Sequence, residues 1–353
     1  MSPLLLLPLS LLPLLSSSLS PIDCQSYDSS LFLKASAITD MADDILVPSV
    51  FKKAIDGFLI TIVDEDDGED AGGGSNTDGS YGTYAFHCDE IFPDGISDIP
   101  SNDGSPRCNA NGDAISFLLG PMDVIANVAC TPPSMRFYSY DNIIATRLTE
   151  TYPFYPGQNF GDTISYRNIN ISDSAPDVYD EPVVILHAAD SNAARRVRDA
   201  YTTIDGINAS MISTREISTS TVRLWDRSDG QSWQETKPDI LAHISRMSLP
   251  NEGFTKAYQA YKKLIWPVRY YMAYDDERST SPTDPPLIPR YSENVFDEVD
   301  KLGHDFEILK ESVNKFFTSD LSTSTPYNYT YLATQYVNLS AEGFYDDWDV
   351  VLD

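Results

Sequence analysis

Residues 182–186 read PVVIL, a continuous run of aliphatic side chains. An apolar run of that length bounded by turn signals describes a strand buried on both faces. The polar turn 188–192 follows and ends in Asp190, Ser191 and Asn192, side chains able to accept hydrogen bonds from the first amides of a helix. Residues 193–203 then carry helical spacing, and 207–212 return to a strand pattern. Strand, helix and strand within about 30 residues make a βαβ unit, which requires parallel pairing. The stretch predicts a mixed α/β or α+β chain whose central sheet contains at least one βαβ unit at about 182–213.

The rest of the chain supplies further elements. Residues 29–45 have helical spacing, which 50–57 can continue, and 58–63 (FLITIV) form a strand pattern. Residues 114–119, 122–129 and 135–144 are apolar or aromatic runs between Gly or Pro, as strands are. In 135–138, Met135 and Phe137 alternate with Arg136 and Tyr138, which gives one apolar face and one aromatic and cationic face. Short strands are also expected at 221–225 and 268–274. Long amphipathic helices are expected toward the C-terminus, at 254–265 and above all at 293–317. There Val295, Val299, Leu302, Phe306, Leu309, Val313 and Phe316 form one stripe.

The first twenty residues set the environment for this folding. They hold a leucine-rich core and small residues with no charged side chain, as in a secretory signal peptide. Cleavage after Ser18 divides the chain into a signal peptide at 1–18 and one globular domain at 19–353. A secretory address permits disulfides, and the chain has four cysteines. Cys88 and Cys108 flank a turn-rich loop, which favours Cys88–Cys108 and Cys24–Cys130. Four N-x-S/T sequons, at Asn170, Asn208, Asn328 and Asn338, permit glycosylation. The expected location is outside the cell or in the lumen of the secretory pathway, with no membrane span in the mature protein.

Net charge is –29. So acidic a chain repels phosphate backbones, which argues against nucleic acid as a partner. Residues 64–82 (DEDDGEDAGGGSNTDGSYG) are charged, Gly-rich and low in complexity, the composition of a disordered loop. Asp64, Asp66, Asp67 and Asp70 there can bind calcium weakly, although no EF-hand pattern is present. No other metal or cofactor is expected.

Candidate chemistry centres on the turn after residues 182–186. In open α/β sheets, ligands bind beyond the carboxyl ends of the strands, and a helix N-terminus attracts anions. His187 and Asp190 are the catalytic candidates there, and Ser191, Asn192, Arg195 and Arg196 the ligand-binding ones. Asp162 is a further catalytic candidate. Residues 160–165 (FGDTIS) resemble the Gly-Asp-Ser-Leu block of a family of secreted lipases and esterases. Thr163 stands where that family has its nucleophilic serine, and residues 300–304 carry one residue more than its late Asp-x-x-His. No G-x-S-x-G or H-E-x-x-H motif occurs. The first expectation is a secreted acidic glycoprotein acting as a hydrolase on an extracellular small molecule or polymer. The alternatives are a non-catalytic extracytoplasmic binding protein for a small anionic or sugar ligand, or a cation-binding matrix or surface protein.

Overall fold

Strands in this chain find most of their partners far away in sequence. The computed structural model describes residues 22–62, 79–92, 108, 112–147, 158–159, 163–228, 230 and 232–283. In chain order the elements are α1 (Ser30–Leu46), β1 (Lys53–Ile62), β2 (Gly79–His87), α2 (Cys88–Ile91), β3 (Asp113–Ala114), β4 (Val124–Cys130), β5 (Met135–Arg147), β6 (Gln158–Asn159) and β7 (Ile164–Ser165). They continue with β8 (Pro182–Ala188), α3 (Ser191–Thr202), β9 (Ile212–Glu216), α4 (Trp233–Thr236), β10 (Asp239–Pro250), α5 (Thr255–Tyr261) and β11 (Trp266–Met272). One sheet takes in every strand among the described residues, in the order β6-β5-β10-β2-β1-β11-β4-β8-β9, with β3 on β2 and β7 on β5.

This layout corrects the expected α/β arrangement. About 36% of the described residues are strand and 22% helix, and the sheet is antiparallel at every strand pairing except β8 with β9. The βαβ unit does form from β8, α3 and β9, but it is one parallel edge on an antiparallel sheet. A local pattern reports a crossover between consecutive elements and is silent about long-range pairing. The last helix among the described residues is α5, seven residues long. The expected helix at 293–317 lies outside the described residues. So do residues 63–78, while β2 starts at Gly79, inside the stretch read as a loop.

The sheet is rolled into a nearly closed barrel. Asn142 on β5 and His187 on β8 are six strand positions apart along the sheet path. At about 4.8 Å per strand, a flat sheet would separate them by roughly 29 Å. Instead Asn142 Nδ2 lies 2.7 Å from His187 Nδ1. The inward faces fill the roll with large rings, among them Tyr84, Phe86, Phe117, Tyr140 and Tyr270, all buried. Gly82 belongs to this packing, because a Cβ there would stand 2.2 Å from Ser245 Oγ.

Helices α1 and α3 cover the outer face over β11, β4 and β8. On α1 the buried stripe is Leu31, Ala35, Ile38, Ala42 and Leu46, spaced three or four apart so that they share one side. Arg269 points outward from β11 and ties α1 down through Asp40 (2.6 Å) and Asp43 (2.8 Å), with Asp56 of β1 at 2.8 Å. Disulfides join Cys24 to Cys130 on β4 and Cys88 to Cys108. No helix among the described residues is long and apolar enough to cross a membrane.

Candidate functional site

Inward positions on neighbouring strands alternate, so each strand offers the lumen every second side chain. Five strands each aim a polar one at a common region: Tyr84 of β2, Asn142 of β5, His187 of β8, Arg215 of β9 and His243 of β10. All five are at most 2% exposed. Asn142 Nδ2 donates to His187 Nδ1 at 2.7 Å, so His187 keeps its proton on Nε2 and donates it to Tyr84 Oη at 2.8 Å. His243 Nδ1 donates to Asn142 Oδ1 at 3.3 Å, and its ring stacks on Tyr84 with centroids 3.8 Å apart. The chain therefore runs in one direction, His243 to Asn142 to His187 to Tyr84, with both imidazoles neutral.

Electrostatics reinforce neutrality. Burial disfavours the charged imidazole, and the positive Arg215 adds to the effect, so His187 falls to about 3. Burial, then His187, pushes His243 well below its ordinary value. Burial drives the Tyr84 phenol well above its usual range. The groups are walled off from solvent, so no substrate reaches them in this arrangement. What they do is orient one another and bind distant strands together.

A second buried polar group lies farther along the lumen, beyond Phe86, whose ring touches both Tyr84 and Tyr270. Asp123 is fully buried and pairs with Arg227. Its Oδ2 accepts from Gly120 N (2.6 Å), Arg227 Nη1 (2.8 Å) and Tyr270 Oη, and its Oδ1 from Ala273 N (2.8 Å) and Arg227 Nη2 (2.5 Å). Burial alone would raise its pKa, but the charge of Arg227 together with hydrogen bonds from Arg227, Tyr270 and Ala273 outweighs it and the net shift is downward. Gly120 is required by close approach, since a Cβ there would sit 2.5 Å from Asp123 Oδ2.

The βα turn behaves differently from the lumen. His187 points inward, whereas Asp190, beyond the strand end, caps α3 by accepting from Asn192 N (2.8 Å) and Ala193 N (2.9 Å). The two are not brought together. Asp190 also accepts from Ser279 Oγ, Thr280 N and Ser281 N, and Ser191 N donates to Ser281 O. The amides that an anion would need are thus occupied, and residues 279–283 lie across the turn. Asn192 donates to Thr280 Oγ1 and accepts from Arg195. Arg196 leaves this group and pairs with Glu277.

Arg196 instead lines an open cleft of about 560 Å³, together with Ser49, Val50, Tyr274, Asp276 and Glu277. Tyr274, 39% exposed, donates to Pro48 O, which fixes its ring at the rim. Asp162, Asp64, Asp66, Asp67, Asp70, Asn328 and Asn338 lie outside the described residues. Asn208 is exposed and its Oδ1 accepts from Ser210 N (3.1 Å), while Asn170 Nδ2 donates to Ile212 O (2.8 Å). Sequence reasoning missed Tyr84, Asn142, Arg215 and His243 in the lumen, and Tyr274 and Glu277 at the cleft. No periodic signal marked His243, because the inward row of Leu241, His243, Ser245 and Met247 mixes polar and apolar side chains and the outward row includes Ala242 and Ile244. A search with the chain finds no match among protein-family models, curated proteins or solved structures.

Proposed function

We propose that this protein is an extracytoplasmic, non-catalytic binding protein that takes a neutral, polyhydroxyl ligand such as a sugar. The observation that carries the reading is the open cleft of about 560 Å³ in which the Arg196–Glu277 pair lies beside the half-exposed ring of Tyr274. A guanidinium and a carboxylate held side by side offer donors and acceptors together, which vicinal hydroxyls need. The tyrosine ring offers an apolar face to the C–H side of a sugar. Asp276 and Glu277, on a chain of net charge –29, oppose an anionic ligand and leave a neutral one favoured.

Proton-transfer chemistry finds less support, because both lumenal histidines are fully buried and Asp190 is spent on capping. Two disulfides and the apolar, uncharged leader support a secretory route, and the sequon at Asn208 is exposed and compatible with a glycan. The test is a thermal-shift and calorimetry panel of neutral oligosaccharides, phosphate and dicarboxylates on the mature protein. A ligand specific for the fold at a hundredfold excess over its Kd adds about 2.7 kcal/mol of stability. The reading expects a neutral sugar to shift the melting temperature and expects Tyr274→Ala or Arg196→Ala to abolish the shift. A response to anions alone, or one untouched by both substitutions, overturns it.

A further inference from the structure

Among the described residues no strand ladder closes the rolled sheet. β9 ends the sheet path on one side and β5 with β6 and β7 on the other. Across that seam, residues 163–181 act as a strap. Tyr166 N donates to Tyr138 O of β5 at 3.3 Å, and Asn170 binds Ser213 Oγ (2.7 Å) and Ile212 O (2.8 Å) of β9. Inside, the same two sides are joined by the bond between Asn142 and His187 and by the neighbouring His243 and Tyr84.

We propose that the His187–Asn142–His243 group is an acid-sensitive latch that holds the seam of the rolled sheet shut and releases it when the imidazoles take up protons. Protonating His187 at Nδ1 replaces an acceptor by a donor that faces the Asn142 Nδ2–H. Turning the amide over can satisfy one charged ring. It cannot satisfy two, because the other Nδ1 then also presents a proton to the amide nitrogen. The remaining groups that face the pair do not help. Arg215 of β9 is already positive, Tyr84 of β2 and Tyr140 of β5 are phenols, and Asn142 is neutral. The buried carboxylate Asp123 is taken by Arg227 and lies beyond Phe86. Among the described residues these neighbours offer the new charge no carboxylate, and opening the seam to water is what relieves it.

The linkage has a definite sign. His187 holds its proton only below about 3 in the closed form, against 6.5 for an ordinary histidine. The open form binds more protons throughout that window, so closure weakens as pH falls from 6.5. At pH 5 His187 alone multiplies the opening constant by about thirtyfold over its value at pH 7.5. His243 acts in the same direction. The latch does not rest on the cleft reading, and either stands without the other.

Hydrogen exchange followed by mass spectrometry on the mature chain, at pH 7.5 and 5.0 with intrinsic rates corrected, tests the latch. The expected result is a loss of protection of thirtyfold or more in residues 163–181, while α1 and β11 keep theirs. His243→Phe preserves the ring stacked on Tyr84 and gives up only the long bond to Asn142, since His243 Nε2 has no hydrogen-bond partner among the described residues. That variant is expected to shrink the pH 5.0 to 7.5 ratio at the strap, and His187→Gln to shrink it further. If His187→Gln does not fold, imidazole proton resonances of the wild type decide the matter. They must stay neutral above pH 5 in the closed protein. Equal ratios in wild type and His243→Phe, uniform loss across α1 and β11, or His187 or His243 titrating near 6.5 in the folded chain each overturn the proposal.

Discussion

Asp123→Ala tests the packing argument most directly. The carboxylate is fully buried and its partner Arg227 has a side chain only 10% exposed. Removing it leaves the buried Arg227 guanidinium with the half-exposed Asp275, 3.6 Å from its Nε, as its remaining carboxylate among the described residues, a loss of about 3 kcal/mol. It also takes an acceptor from Gly120 N, Ala273 N and Tyr270 Oη, although Tyr270 Oη retains Leu118 O at 2.9 Å. The expected loss is therefore at least about 3 kcal/mol, a large share of the 5–15 kcal/mol that holds an ordinary domain together. Equilibrium urea unfolding, read by near-ultraviolet circular dichroism and by tryptophan emission together, measures it. Asp123→Leu combined with Arg227→Met is the decisive companion, because it removes the stranded charge while keeping similar volume. It should recover about 2 kcal/mol or more relative to the sum of the single variants. The pair has a pH signature as well. A carboxylate whose folded pKa lies below the ordinary 3.8 contributes fully above that value and loses its contribution as pH falls through the lower one. Above about pH 5 the pair thus adds almost no slope, and the window up to about pH 7 is left to the histidines. A cost below about 1 kcal/mol for Asp123→Ala, or strict additivity in the double variant, would refute the reasoning.

Other consequences follow from the same structure. Gly120→Ala pushes a methyl group toward Asp123 Oδ2 and Arg227 Nη2, 2.5 and 2.8 Å from its position, and should cost about 1–3 kcal/mol in the same urea assay. A neutral effect would mean that the 118–123 turn yields easily. Replacing Cys24 and Cys130 by Ser frees a loop of sequence separation 106, and the midpoint of thermal unfolding should fall by an amount matching about 2–5 kcal/mol. Asp190→Ala removes the cap of α3 and three bonds to residues 279–281. It should cost about 1–2 kcal/mol and expose 277–283 to limited proteolysis, and an unchanged cleavage pattern would show that residues 279–283 are held by other contacts.

Local order was written into the chain where local chemistry decides it. The stripe of α1, the cap at Asp190, the apolar run of β8 and the helix α3 that follows it depend on residues a few positions apart and could be read from spacing, whereas the strand pattern at 207–212 meets a 3-10 turn at Ala209–Met211 and β9 only begins at Ile212. β10 could not be read from spacing. Its inward row is Leu241, His243, Ser245 and Met247 and its outward row includes Ala242 and Ile244, so the polar and apolar faces are mixed and the alternation that marks a strand is lost. β2 carries a strand pattern only at 84–86, and its first half, 79–83, is hidden behind Gly79 and Gly82. On β5 the tyrosines at 138 and 140 are buried inward while Phe137 stays partly exposed, the reverse of a simple apolar-in expectation. His187 drew notice as a turn residue, yet its partners lie on β2, β5 and β10. Only the rolling of the sheet, which brings β5 to β8 across a separation of roughly 29 Å in a flat one, makes an isolated histidine into a buried network. Sequence by itself determined the short-range elements, because hydrogen bonds and side-chain spacing within a few residues set them. The tertiary structure alone decided strand order, the neutrality of the histidines and the cleft at Arg196. Those depend on long-range pairing and on burial, and a linear pattern carries neither.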